Sequence, residues 1–251
     1  MKNIILIGSG NVATHLGLSL KNSGYSITQV WSKKLQHAKM LARRLNSTFT
    51  NNIDELKDAD LYIVAVKDDS LEYLIRQLNV NNIVHTSGSF GLEVFKKKTE
   101  NYGVFYPLQT FNKNINLDFS KIPICIEANN KLFENKLVDI GNNLSKKVIT
   151  MSSEKREKLH IAAVFASNFT NHMFSIADSI VAESNIDFKL LLPLINQTIK
   201  KIAKNKPSKV QTGPARRKDQ KIIQNHINKL SNKELKNIYQ IISNSIMKNN
   251  E

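Results

Sequence analysis

A short apolar run, Lys2-Asn3-Ile4-Ile5-Leu6-Ile7, passes directly into Gly8-Ser9-Gly10-Asn11-Val12-Ala13, and this Gly-x-Gly-x-x-Ala turn constrains the chain more than any other feature. In a dinucleotide-binding turn of this kind each small residue answers a physical need. Gly8 permits the tight turn, Gly10 lets backbone come close to a pyrophosphate, and Ala13 lets the next helix pack against its strand. The helix opening near Asn11 presents unpaired N–H groups and the positive end of its dipole. A helical pattern (Val12, His15, Leu16, Ser19, Leu20) follows and stops at Gly24. Gly8, Ser9, Gly10, Asn11 and Val12 are therefore the expected phosphate contacts, the alternative being a glycine turn without a ligand.

Apolar runs of strand length then alternate with helical stretches, the arithmetic of βαβ units. The strands expected are Asn3–Ile7, Ser26–Trp31, Leu61–Val66, Asn82–Thr86, Gly103–Tyr106, Pro123–Glu127 and Lys147–Met151. Helices are expected over Asn11–Asn22, Lys34–Leu45, Ser70–Leu78 and Leu132–Leu144, with Asp69 or Ser70 capping the third. The right-handed crossover rule makes this an α/β fold with a doubly wound, Rossmann-type parallel sheet. Beyond Ser152 only helical patterns remain, so residues 1–151 are expected to form the dinucleotide-binding domain and residues 152–251 an all-α carboxyl-terminal domain for substrate and dimer contacts. A helix from Ser152 or Ser153 to Val181 has so wide an apolar face that a neighbouring helix or a second subunit should cover part of it. Ser231-x-x-Glu234 reads as a capping box opening the last helix.

The single cysteine, Cys125, lies in an apolar run, which excludes a disulfide framework and suits a reducing cytoplasm. No stretch reaches membrane-spanning length and no metal-ligating set is assigned. The net charge of +15 raises the question of nucleic acid. Its excess gathers in residues 201–251, where 12 basic and 3 acidic side chains accompany one aromatic, Tyr239. Without stacking rings, a solvated helical surface explains these charges better than a polyanion site.

The second expected strand ends at Val30-Trp31-Ser32-Lys33-Lys34, where a NAD-selective fold carries an Asp or Glu for the ribose. A hydroxyl and two ammonium groups favour a 2′-phosphate instead, which makes Ser32, Lys33 and Lys34 the expected selectors of NADP. A substrate should lie outside the carboxyl ends of the strands. There the sequence offers Ser87 in His85-Thr86-Ser87-Gly88-Ser89, and Tyr106 and Gln109 in Tyr106-Pro107-Leu108-Gln109-Thr110-Phe111. On the long helix His160, Ala163, Ser167 and Asn171 share one α-helical face, with Asn168 at its flank. His160 is the candidate proton donor, and Ser87, Asn168 and Asn171 the candidate positioning groups. A set of core polar groups with satisfied hydrogen bonds is the other reading of this face. Arg216, in Thr212-Gly213-Pro214-Ala215-Arg216-Arg217-Lys218-Asp219, could hold a substrate carboxylate or phosphate, or pair with Asp219 while Asp219 caps the next helix.

These motifs, together with His160-Ile161-Ala162-Ala163-Val164-Phe165-Ala166-Ser167-Asn168-Phe169, resemble an uncharacterised family of two-domain Rossmann-type NADP oxidoreductases. The family is similar in build to pyrroline-5-carboxylate reductase and ketopantoate reductase. The resemblance implies hydride transfer between NADP and a small polar keto or imine compound; a cytoplasmic location is expected from the lone cysteine and the lack of a membrane span, and a homodimer from the wide apolar helix face. Some members carry His where this chain has Tyr106, so no proton-transfer role is carried over to that position. A coenzyme-binding sensor or scaffold without turnover is the alternative from another class, and nucleic-acid binding through the basic carboxyl-terminal helices is the third.

Overall fold

The computed structural model describes residues 1–95 and 99–248. The strands are β1 (Asn3–Ile7), β2 (Ser26–Trp31), β3 (Thr48–Thr50), β4 (Leu61–Val64), β5 (Ile83–His85), β6 (Tyr102–Pro107), β7 (Ile124–Ala128) and β8 (Val148–Thr150). They form one sheet in the order β3-β2-β1-β4-β5-β6-β7-β8. The helices are α1 (Asn11–Asn22), α2 (Leu35–Leu45), α3 (Asp68–Gln77), α4 (Lys131–Leu144), α5 (Ser153–Ala163), α6 (Thr170–Ala182), α7 (Leu192–Lys204), α8 (Gln220–Lys229) and α9 (Lys233–Lys248). Compact packing divides the chain into Met1–His172, which holds the whole sheet, and Met173–Glu251.

Both faces of the sheet are covered, and successive residues of β1 show it. Ile4 and Leu6 pack with α1, α2 and α4, whereas Ile5 and Ile7 pack with α3 and the turn at Val94 and Phe95. A strand buried on both faces must be apolar at every position, which is why β1 reads as an unbroken run. Ala13 is fully buried in this packing. From β1 the chain winds outward to β3, then returns to place β4 on the other side of β1. The switch point between β1 and β4 opens a crevice at their carboxyl ends.

Four sequence expectations change in the structure. Strand β3 was not anticipated; its three residues pair with Gln29–Trp31 at an edge, too short to carry a readable alternation. Strand β7 runs antiparallel to β6, so the sheet is mostly rather than wholly parallel. Between Pro107 and Ile124 the chain forms only the short 3-10 turn Phe119–Lys121, and without a crossover helix it must return alongside the strand it left. Helix α3 begins at Asp68 after an uncapped Lys67, so Asp69 and Ser70 do not cap it; Asp68 and Asp69 instead lie in its first turn, favourable to the dipole. Asn232, not Ser231, caps α9: its side chain accepts the Glu234 N–H at 2.7 Å, while Ser231 donates to Glu183 at 3.3 Å.

In the second unit, Asp219 caps α8 by accepting the Ile222 N–H at 3.3 Å. Helices α8 and α9 are tied by His226 Nδ1 and Tyr239 Oη at 2.7 Å, beside a mainly apolar cavity of about 470 Å³. Arg216 is exposed in the loop before α8 and makes no ion pair with Asp219 among the described residues. Among the described residues no helix is long and apolar enough to cross a membrane.

Candidate active site

A cavity of about 1510 Å³ occupies the crevice. Its floor is the glycine turn. Gly8 has φ +126°, and a Cβ there would lie 2.1 Å from the Ala65 carbonyl oxygen, so no other residue fits. Gly10 differs: a Cβ would meet nothing within 4 Å, which leaves open space above the turn where a phosphate group can approach backbone. Gly10 precedes α1 with no side-chain cap and no acidic residue in the first turn, leaving its leading N–H groups available to an anion. Ser9 Oγ donates to Ser32 Oγ at 2.8 Å, and Gly8 N donates to Trp31 O at 2.8 Å, which join the turn to the end of β2. Ser32, Lys33, Lys34 and His37 line the same end of the cavity. These observations fit a pyridine dinucleotide bearing a 2′-phosphate, with glycine-turn backbone for its pyrophosphate and cations for the extra charge. His37, in the first turn of α2, was missed because sequence alone does not show which face of that turn meets the crevice.

The other end is built around Tyr106 and His160. Tyr106, on β6, lies 2.9 Å from His160 Nδ1 through its phenolic oxygen, with the rings edge-on at 78°. Burial pushes the phenol up to about 12, so it stays protonated in neutral solution. Both residues line the cavity with Ser87, Gly88, Gln109 and Phe111. Gly88 makes the pairing possible: a Cβ there would come within 2.6 Å of His160 Nδ1 and 2.9 Å of Tyr106 Cζ.

The loop carrying Ser87 and Gly88 is braced from within. His85 is fully buried, donates through Nε2 to the Gly91 carbonyl at 3.3 Å and accepts the Ser87 N–H on Nδ1 at 3.2 Å. Burial, aided by the Arg156 cation and opposed by the Gly91 hydrogen bond, holds its pKa down at about 3. The Ser87 hydroxyl oxygen accepts the Ser89 and Phe90 N–H groups at 3.1 and 3.3 Å, which leaves its own proton to donate. Ser87 thus shapes the loop and faces the cavity at once.

Asn168 and Asn171 are exposed and do not line the cavity. The physical reason is a six-residue π-helix, Val164–Phe169, between α5 and α6. Its wider turns shift the phase that an unbroken α-helix would carry from His160 to Asn171. Ser167 pairs with Thr110 of the β6–β7 connection at 2.8 Å, and Thr170 Oγ1 returns to the Phe165 carbonyl at 3.1 Å. No residue-type signal marks the π-helix in the sequence; α-periodicity continues plausibly through it.

Residues 3–86 match the family described as NADP oxidoreductase coenzyme F420-dependent, and residues 122–246 match a domain of unknown function. No curated protein sequence matches the chain. Among solved structures, a 1-pyrroline-5-carboxylate reductase from Streptococcus pyogenes is 15% identical over 99% of this chain and 98% of its own, with a TM-score of 0.65. An imine reductase from Myxococcus stipitatus in complex with NADP+ is 17% identical over 98% and 92%, also with a TM-score of 0.65. At such identities the likeness shows the fold alone. A putative NADP oxidoreductase from Bacteroides fragilis is 38% identical over 98% of both chains, with a TM-score of 0.92. The chain belongs to the family of that Bacteroides fragilis protein.

Proposed function

We propose that this protein is an NADP-dependent oxidoreductase acting on a small polar carbonyl or imine compound. The observation that carries the reading is the juxtaposition, in one cavity, of an uncapped glycine turn with the hydrogen-bonded pair Tyr106 and His160. The coenzyme supplies or takes up the hydride. Backbone at Gly8, Ser9, Gly10, Asn11 and Val12 holds the pyrophosphate, and Ser32, Lys33 and Lys34 bind the 2′-phosphate. During reduction His160, as imidazolium, donates Nδ1–H to the Tyr106 oxygen and releases its Nε2 proton to the substrate oxygen or nitrogen, ending as neutral imidazole. Tyr106 thereby fixes the ring orientation, and the Ser87 hydroxyl and Gln109 amide orient the polar substrate. Asn168, Asn171 and Arg216 have weaker support as direct contacts, given their exposure.

In this reading residues 1–151 bind the coenzyme and residues 152–251 carry substrate and dimer contacts. A homodimer is supported by the exposure of Phe165 (64%) and Phe169 (49%), whose rings meet at 4.9 Å on one face of the long helix. Trp31, the single tryptophan, borders the cavity and reports binding by fluorescence. Titration should give tighter NADP than NAD binding, with the preference lost in Lys33→Glu/Lys34→Glu. A panel of keto acids and cyclic imines should then reveal NADPH oxidation that His160→Ala lowers about 100-fold or more. Equal affinity for NAD would refute the coenzyme assignment, full activity in His160→Ala the proton donor, and tight binding without turnover would favour a sensor.

A further inference from the structure

Arg156, with 1% exposure, is the largest fully buried side chain among the described residues, although no sequence motif marks it. Its guanidinium faces two ways. Nη1 pairs with Glu127 of β7, and Nη2 donates to the Phe90 carbonyl at 2.6 Å and to Ser153 Oγ at 3.2 Å. Glu127 completes the joint by accepting the Ser153 N–H at 2.9 Å and the Ser153 hydroxyl at 2.7 Å, so a strand carboxylate caps the first turn of α5. Gly91 lies so close that a Cβ would come within 2.6 Å of Ser153 Oγ.

Stability does not explain this choice of residue. A buried ion pair roughly breaks even against apolar side chains of similar volume. Here Arg156 Nε in addition has no hydrogen-bond partner among the described residues, which carries a desolvation penalty. What the guanidinium does uniquely is span two elements. Phe90 belongs to the loop that bears Ser87 and Gly88, Glu127 belongs to the sheet, and His160 stands one helical turn beyond Arg156 on the same face of α5. A planar fork presents donors from two separate terminal nitrogens and so reaches a carboxylate and a carbonyl that lie apart; an ammonium must send its three N–H donors from one nitrogen and cannot span the same gap.

We infer that Arg156 is the positioning residue of the His160–Tyr106 pair, setting the depth at which the imidazole enters the gap between Gly88 and Tyr106. Its functional meaning rests on the oxidoreductase reading, but the geometry can be tested without turnover. In 15N-labelled full-length protein the His160 ring resonances, assigned by their loss in His160→Gln, should report one fixed tautomer hydrogen-bonded at Nδ1. Arg156→Lys should lose that signature and give the averaged signals of a mobile ring. His15, bonded to the Asn112 carbonyl at 2.8 Å on α1, serves as an internal control and should not change. NADP affinity, read through Trp31 fluorescence, should stay within about twofold of wild type.

The double variant Arg156→Met/Glu127→Leu separates positioning from folding, because it removes the buried guanidinium together with its partly buried carboxylate partner and leaves neither charge without the other. It should fold and still lose the His160 signature. An unchanged signature in either folded variant overturns the inference. So does joint loss of the His15 signal and NADP affinity in both, since the joint would then hold the fold rather than the imidazole. Failure of wild type to bind NADP would sink the oxidoreductase reading and leave this comparison intact.

Discussion

His85 ties the loop bearing Ser87 and Gly88 to the pH dependence of folding. In the folded protein its pKa is held down at about 3, first by burial and then by the Arg156 cation. In the unfolded chain an imidazole titrates near ~6.5. Between these values the unfolded chain takes up a proton that the folded protein refuses, so stability is complete above about 6.5 and falls as the pH drops toward about 3. The full difference corresponds to about 5 kcal/mol, and the portion between pH 7.5 and 5.0 to about 2 kcal/mol. The lowered carboxylates Asp60 and Asp118 lose their contribution only at lower pH, below the carboxylate value of 3.8. Urea unfolding, followed by Trp31 fluorescence at pH 7.5 and pH 5.0, should therefore show this loss in wild type. In His85→Gln the amide can still donate to the Gly91 carbonyl, but no proton is refused, so the fall between the two pH values should be smaller by about 2 kcal/mol. Whatever the substitution costs at pH 7.5 cancels in that difference. Equal losses in the two proteins would refute the reasoning, because a His85 that protonates freely while folded could not be buried in this brace.

Two other perturbations probe the site and its surroundings. Gly88→Ala should leave NADP binding near wild type yet lower turnover about 100-fold, because its methyl would occupy the space where His160 Nδ1 and Tyr106 Cζ now lie at 2.6 and 2.9 Å; unaltered kcat would remove Gly88 from the account. Light scattering should give twice the chain mass of 28.5 kDa, and Phe165→Glu/Phe169→Glu should halve it, whereas a wild-type monomer at micromolar concentration would end the dimer proposal.

The two ends of the crevice cavity differed in how far they could be read ahead. At the dinucleotide end the determinants are contiguous: an apolar strand, a turn that needs glycine at Gly8, a helix whose first residues follow at once, and a basic stretch just past β2. Local demands of this kind leave a mark at fixed spacing, so Gly8, Gly10, Ser32, Lys33 and Lys34, which line one cavity, could be picked out as candidates without a structure. At the opposite end the partners come from β6, the loop after β5 and a helix about 50 residues further on, and pairing across such separations has no local signature. The readable α-helical period also misled at Asn168 and Asn171, because a π-helical stretch shifts the helical phase at these positions while the residue types remain those of an ordinary helix.

By itself, then, the amino-acid order determined the βαβ alternation, the glycine turn and its positive helix end, and the absence of an acidic residue after β2. Each of these follows from steric and electrostatic rules acting between neighbours along the chain. Tertiary structure alone decided that β7 turns back antiparallel, that Gly88 yields its space to His160, and that Arg156 is buried between Glu127 and Phe90. Those outcomes depend on which distant surfaces close-pack, and packing depends on shape and volume in three dimensions, which linear spacing does not encode.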